Sequence, residues 1–404
     1  MRSGLLCWMA AAAVFGQDFS QRGFLETRTV LYPQEARGDS ARAAVESLLR
    51  WEASYKLTQG WKLFGSLDAR TDSHRQFDRE AHVDWKDRGL QRPALSLRRL
   101  SAQYHRGGFT AEFGKQFIRW GKADILNPTD RFAPRDYLSV VDTDVLAVPA
   151  ARLSYERGGE TVEAVWTPRF TPSRTPLIGQ RWTVLPEGAE QFTLRDRGAR
   201  FPGRSQFGAR WSHVGRRHEH SVVFFDGFHN LPLFDFRFQQ PTIEFQRFYP
   251  RLRLYGADAA VPLPWFTVKG EAAWFTSATR QADEYVLYVM QLERTSGEWV
   301  FVGGYAGEVV TQRRNPLGFA PDRGFTRAFL GRAAYTIDPR RSLAFEAAVR
   351  ENGEGAWLKA EYSHQLGQHW RATASFTLIR GEAGDFLGQY RRNSHGLLGV
   401  RYSF

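Results

Sequence analysis

Ser394-His395-Gly396-Leu397-Leu398-Gly399-Val400-Arg401-Tyr402-Ser403-Phe404 closes the sequence, and its alternation decides the fold. Gly396, Leu398, Val400, Tyr402 and Phe404 share one parity, while His395, Gly399, Arg401 and Ser403 share the other. A period of two is the signature of an extended strand, because successive side chains leave opposite faces of the pleat. One face here is apolar and aromatic; the other is small or charged. The same division recurs upstream. Trp61, Leu63, Gly65, Leu67 and Ala69 oppose Lys62, Ser66, Asp68 and Arg70, and Phe266, Val268, Ala272 and Trp274 oppose Thr267, Lys269 and Glu271. Trp370, Ala372, Ala374, Phe376 and Leu378 oppose Arg371, Thr373, Ser375 and Thr377 in the same way. A soluble sandwich also alternates, so the connections between strands have to decide what covers the apolar face.

Candidate strands fall near 22–31, 43–58, 60–70, 92–105, 108–115, 146–157, 161–167, 205–214 and 218–227, then near 249–261, 265–276, 284–293, 298–311, 324–336, 342–350, 356–365, 370–380 and 394–404. Even-numbered strands of this series lead into tight turns such as Gln59-Gly60, Arg106-Gly107, Gly158-Gly159 and Asp338-Pro339. Odd-numbered strands lead mostly into long polar segments, near 71–91, 116–145, 168–204 and 228–248. Short turns on one rim and long loops on the other mark a transmembrane barrel, with the long set outside the cell. The expected fold is therefore all-β: a closed antiparallel transmembrane β-barrel of about eighteen strands, range sixteen to eighteen, its long extracellular loops partly folded into the lumen.

Composition agrees. Phe, Tyr and Trp make up 14% of 404 residues, yet no run of eighteen apolar residues exists, which excludes helical membrane spans. The formal charge of +12, from 55 Lys plus Arg against 43 Asp plus Glu, is scattered among aromatics rather than gathered in a nucleic-acid patch. Residues 1–16 read as a separate unit: Arg2, the apolar stretch Leu5 to Phe15, then Gly16, as in a cleavable signal peptide. Residues 17–404 then form a single barrel domain of the outer membrane. Cys7 is the only cysteine and falls in the expected leader, so the mature chain carries no thiol into an oxidising periplasm. Strand-like sequence starts soon after the expected cut, leaving no plug domain.

The terminal strand resembles the C-terminal signature by which outer-membrane assembly machinery recognises its barrels, with Tyr402 and Phe404 as the residues read. A second stretch, Gly114-Lys115-Gln116-Phe117-Ile118-Arg119-Trp120-Gly121-Lys122-Ala123-Asp124, is followed by Asn127-Pro128 and by Pro134-Arg135-Asp136. It resembles a motif of outer-membrane channels of the alginate-export type and their porin relatives. That resemblance implies an inward-folded constriction loop carrying Trp120, Gly121, Asp124, Asn127, Pro128, Asp130, Pro134, Arg135 and Asp136. Read from the residues alone, its prolines forbid regular pairing and its Asp and Arg side chains can pair within a rigid loop; a solvated surface loop is the alternative. Asp124, Asp130 and Asp136 lack the compact spacing of a calcium loop, and no metal site is expected.

Arg119 and Arg131 of this loop, with Arg169, Arg174 and Arg181 of 168–204, are candidate anion contacts. The second loop could equally bind lipopolysaccharide phosphates from outside. No phosphate loop, nucleophile elbow or metal-spaced Cys and His set appears, so no enzyme activity and no cofactor are expected. His218, His220 and His229 near Asp226 are the one group to check for catalysis. The expected function is passive diffusion of small hydrophilic, preferentially anionic solutes, with export of an anionic polysaccharide and a barrel enzyme or adhesion and assembly factor as alternatives. Expected partners are outer-membrane lipid and lipopolysaccharide, the barrel assembly machinery and a small-molecule or saccharide cargo, with no nucleic acid.

Overall fold

The computed structural model describes residues 18–124, 126–185, 188–314 and 320–404, with the side chains of Ala81 and Glu190 left aside. The expected signal peptide lies outside the described residues. Eighteen strands form the barrel. The first nine are β1 (Phe19–Leu31), β2 (Ala43–Lys56), β3 (Trp61–Asp72), β4 (Arg92–Arg106), β5 (Phe109–Gln116), β6 (Val148–Arg157), β7 (Glu160–Thr167), β8 (Gln206–Val214) and β9 (Glu219–Phe228). The others are β10 (Arg251–Pro262), β11 (Thr267–Thr276), β12 (Glu284–Ser296), β13 (Trp299–Gln312), β14 (Ala328–Asp338), β15 (Arg341–Arg350), β16 (Gly355–Leu366), β17 (Trp370–Gly381) and β18 (His395–Ser403).

Each strand pairs antiparallel with its neighbours in sequence, and β18 pairs back onto β1 from Phe24↔Ser403 to Leu31↔Gly396. Closure leaves no unpaired edge, which lipid would not tolerate. The seam is finished by Gly23 and Phe404, whose backbone N–H groups each donate to the other's carbonyl at 2.9 Å. A side chain at Gly23 would meet the Phe404 ring and the Arg50 carbonyl at 2.6 Å, so only glycine fits this crossing.

The expected alternation sets the two faces. Leu49, Leu67, Leu100, Phe113, Leu153, Trp166, Trp211, Met290, Phe329 and Leu398 project outward and are exposed. An apolar belt of that extent is stable only against lipid. Paired aromatics sit near the short-turn rim, among them Trp61–Tyr104, Trp299–Tyr335 and Trp370–Tyr402 with ring centroids 4.7–5.1 Å apart. Amphipathic rings favour the level where lipid tails give way to headgroups. Inward residues of β2–β5 are charged: Asp68 lies between Arg50 (2.7 Å) and Arg70 (2.8 Å), and Glu112 takes Arg99 at 2.7 Å. A register shift opposite Ser66 and Leu67 sends Arg98 and Arg99 to the same side, Arg98 reaching Glu52 at 3.4 Å.

One wall departs from the expected pattern. Inward residues of β9–β12 include Val223, Phe225, Leu252, Leu254, Ala273, Phe275, Leu287 and Val289, all buried. An apolar inner face must have something covering it.

Candidate functional site

The cover is segment 117–147, which runs inside the barrel between β5 and β6. The chain leaves β5 after Gln116, two residues later than expected, since Gly114, Lys115 and Gln116 still pair with β6; at Gly114 itself a φ of +120° and the Leu100 carbonyl 2.3 Å from a would-be Cβ exclude other residues. Ile118, Trp120 and Phe132 are buried in one cluster with the inner faces of β7 and β9–β12. Trp120 and Phe225 both meet the Phe132 ring edge-on, with centroids 5.1 and 5.0 Å away. Each such side chain contributes about 1.5–3 kcal/mol by leaving water, so apolar contact docks the segment and polar contacts fix its register.

Glu271 of β11 is the main anchor. One carboxylate oxygen accepts the N–H groups of Lys122 (3.0 Å) and Ala123 (3.2 Å); the other accepts the Thr129 N–H and hydroxyl, both at 2.8 Å. Gly121, with φ +95°, passes so close that a Cβ would stand 2.7 Å from the Glu271 oxygens. Glu163 of β7 accepts the Trp120 indole N–H and is held by Arg152 at 2.8 Å. At β12 the Gln291 side chain accepts the Asp124 N–H at 3.0 Å, and the Asp124 carboxylate takes Lys269 at 2.7 Å. Burial would raise the Asp124 pKa, but Lys269 and Gln291 outweigh it and hold the carboxyl below its usual value.

The far end of the segment reaches the opposite wall. Asp142 lies 3.7 Å from Arg28 of β1, and Asp144 lies 3.7 Å from both Arg50 of β2 and Arg70 of β3. Strands β1–β3 and β11–β12 stand on opposite sides of the ring, so the segment spans the lumen. Asp124, Asp142 and Asp144 remain about half exposed. Asp142 faces Arg28 and Lys359, and Asp124 faces Arg332. Arg332 is 57% exposed and Arg371 is exposed as well, which marks water on this side of the segment.

The remaining motif residues hold the segment's shape. Asn127 donates to the Ala123 carbonyl and accepts the Asp130 N–H at 3.2 Å, closing a turn around Pro128. Asp130 accepts the Trp120 N–H at 3.2 Å and lies 3.5 Å from Arg119; burial pushes its carboxyl up to about 6 against the pull of those partners. The Pro134 carbonyl accepts the Leu146 N–H at 2.8 Å. Asp136 is gripped by Arg92 at 2.8 and 3.2 Å and by Arg174 at 3.2 Å. Burial alone would raise its pKa, yet the two guanidinium groups hold it well below the usual carboxylate range. Arg174 also binds Asp87 at 2.7 Å, and Asp87 pairs with Lys115. Three loops and two strands thus meet in one buried network of charges.

This placement separates the candidate arginines. Arg119 stays 57% exposed on the loop. Arg131 is tied to Asp322 at 3.2 Å and lies over the Phe275 ring, and Arg135 donates to Thr143 at 3.3 Å. Arg174 and Arg181 are buried, the latter under the loops at Asp39, Ala41 and Asn393, so neither presents its guanidinium to a passing solute. Arg169 is exposed and lies over the ring of Trp85. The histidines checked for catalysis do not gather around Asp226. His218 and His220 flank the short-turn end of β9, whereas Asp226, held by Arg251 and Arg253, and half-buried His229 lie toward its other end. Asp124, Asp130 and Asp136 each have separate cationic or N–H partners. Tyr402 packs at a tilt beside Trp370 and Phe404 on the outer face.

Glu163, Glu271 and Gln291 escaped the sequence reading, although a signal was present. Val222-Val223-Phe224-Phe225 and Tyr285-Val286-Leu287-Tyr288-Val289 are apolar on both parities, which in a barrel means an inner face covered by protein.

No family model matches the sequence, and no curated relative is matched. Solved structures similar in fold are OccAB4 of Acinetobacter baumannii (TM-score 0.58, 9% identity, covering 96% of this chain and 98% of that one) and a BenF-like porin of Pseudomonas fluorescens Pf-5 (TM-score 0.55, 10% identity, 96% and 97%). OccK2 (OpdF) of Pseudomonas aeruginosa, solved in complex with glucuronate, is similar to the same degree (TM-score 0.55, 11% identity, 96% and 97%). The likeness is one of architecture: a closed barrel of the outer-membrane porin type.

Proposed function

We propose that this chain is an outer-membrane channel for passive diffusion of small hydrophilic solutes, favouring those that carry an anionic group. The observation that carries the reading is the segment 117–147 spanning the lumen, with exposed Asp142 and Asp144 on it and exposed Arg332 and Arg371 on the wall beyond. Opposed charges across a narrow aqueous passage orient a dipolar solute, and a surplus of wall cations raises the local concentration of anions. A carboxylate on a compact polar body, as in a sugar acid, fits that pattern; the glucuronate bound by OccK2 supports this class without fixing it here. Inward cations held by one carboxylate, such as Arg401 with Glu26 at 2.8 Å, can exchange a partner for a passing carboxylate without a large desolvation cost.

The motif around Trp120 carries the second reading, export of an anionic polysaccharide, which asks for a continuous cationic track past the segment. Planar-bilayer recording of the purified protein in a salt gradient tests both. Discrete steps with a reversal potential on the anion side, blocked by millimolar glucuronate and not by alginate oligomers, would support the first reading. Absence of any conductance would overturn both.

A further inference from the structure

Most arginines in the lumen have a carboxylate beside them. One group of cations at the long-loop rim departs from that rule. Lys86, Arg88 and Arg169 converge on a cleft of about 330 Å³ whose walls include Trp85, Pro149 and Pro168. Among the described residues none of the three cations forms an ion pair. The Arg88 guanidinium instead donates twice to the Phe170 carbonyl, at 3.1 and 2.9 Å, and lies 4.7 Å above the Phe201 ring. Arg169 and Lys86 both lie over the Trp85 ring, at 5.3 and 5.7 Å from its centroid. Burial, then the nearby charge of Arg169, push the Arg88 pKa down from its usual value. Like charges gathered without a counterion are unfavourable until an anion joins them.

The position of the cleft narrows the choice of anion. Pro149 continues the outward parity of Leu153 and Tyr155 on β6, and Pro168 that of Val162 and Trp166 on β7. The cleft therefore opens on the lipid-facing flank, where headgroups meet the long loops. Trp85 is 42% exposed, so part of its ring beside Arg169 and Lys86 stays open to the C–H side of a sugar.

We propose that this cleft binds the phosphorylated sugar of an outer-leaflet glycolipid, its phosphate between the forks of Arg88 and Arg169 and its sugar ring on Trp85. The guanidinium fork matches phosphate oxygens in pairs, and an aromatic platform beside it excludes water from one side of the contact. Lys86 adds a third, mobile positive charge at the mouth. The site lies outside the lumen, so it stands or falls independently of the channel reading.

Native mass spectrometry of the full-length folded protein in detergent, titrated with diphosphorylated lipid A, tests the proposal. Wild-type protein should retain the lipid through delipidation, R88A/R169A should retain it at least about ten-fold less, and R88K/R169K should fall between. Heat-modifiable migration confirms that each variant is folded. Lipid A stripped of both phosphates should bind the wild type about ten-fold more weakly, a comparison that needs no variant. Equal retention of the two lipids, or of lipid A by R88A/R169A, would overturn the assignment. So would displacement of lipid A by an equal concentration of water-soluble glucosamine 1-phosphate, since the phosphosugar would then need no lipid.

Discussion

Thr129 and Glu271 lie 142 residues apart, yet the Thr129 N–H and hydroxyl both donate to one Glu271 oxygen at 2.8 Å. Through this contact the barrel wall dictates the path of the segment inside it. The other Glu271 oxygen takes two further N–H groups, so a single wall carboxylate satisfies four donors that no sheet could reach.

Replacing Glu271 by alanine should therefore release the segment while leaving the barrel closed. Hydrogen bonds to a charged group contribute about 1.5–3 kcal/mol each, and buried donors left without a partner cost a similar amount. Single-channel recording should show larger and noisier steps than the wild type, with heat-modifiability unchanged. Unaltered conductance would mean that the segment does not set the width of the passage.

Selectivity should follow the charges that face each other across the passage. Arg332→Ala with Arg371→Ala should move the reversal potential toward cations, and Asp142→Asn with Asp144→Asn should move it toward anions. The aspartates are about half exposed and the salt dependence should be strong, because such charges are screened within about 10 Å at 0.1 M salt. If both pairs of substitutions leave the reversal potential in place, the filter lies elsewhere.

Asp130 gives the passage a pH dependence of defined sign. Burial raises its carboxyl to about 6, so it is charged at pH 7 and neutral at pH 5. Protonation removes a negative charge beside Arg119, and anion preference should rise as pH falls through 6. Stability changes in the same direction: the buried carboxylate is less favourable folded than unfolded, so stability declines as pH rises from about 4 to 6. Asp130→Asn should flatten both responses; a step near pH 6 that survives this substitution would assign the titration to another group.

At the seam, Gly23→Val should fail to assemble, because the new side chain would stand where the Phe404 ring and the Arg50 carbonyl already are. Deleting Phe404 should likewise lower the amount of heat-modifiable barrel in the membrane without lowering synthesis. A normal yield from both changes would remove any role for this crossing in assembly.

Trp61, Trp274 and Trp370 are 39–49% exposed on the outer face. Brominated lipid should quench all three, and aqueous acrylamide should quench them weakly. Quenching by acrylamide alone would reverse the assigned parity of β3, β11 and β17.

The barrel was legible because two local signals, strict alternation and the short-long sequence of connections, both survive without tertiary information. Trp61, Trp274 and Trp370 show the first; Arg106-Gly107 and Gly158-Gly159 show the second. The anchors of the inner segment were not legible in the same way. Glu271 looks like any other inward acid on its strand, and only the path of residues 121–129 makes it an anchor. Arg174 and Arg181 illustrate the converse: in sequence they are loop arginines open to solvent, and distant partners such as Asp136 and Asn393 are what bury them. Charge counts alone cannot tell a cation that faces water from one already neutralised.

The apolar inner wall of β9–β12 also imposes an order in time. Were the seam between β1 and β18 to shut first, water would be trapped against Phe225, Leu252, Leu254 and Phe275, and a bulky segment would then have to thread into a finished tube. Entry of residues 117–147 before closure avoids both. A chain shortened across that segment should accordingly pause with its seam open, visible in pulse-chase as barrel that is membrane-associated long before it becomes heat-modifiable.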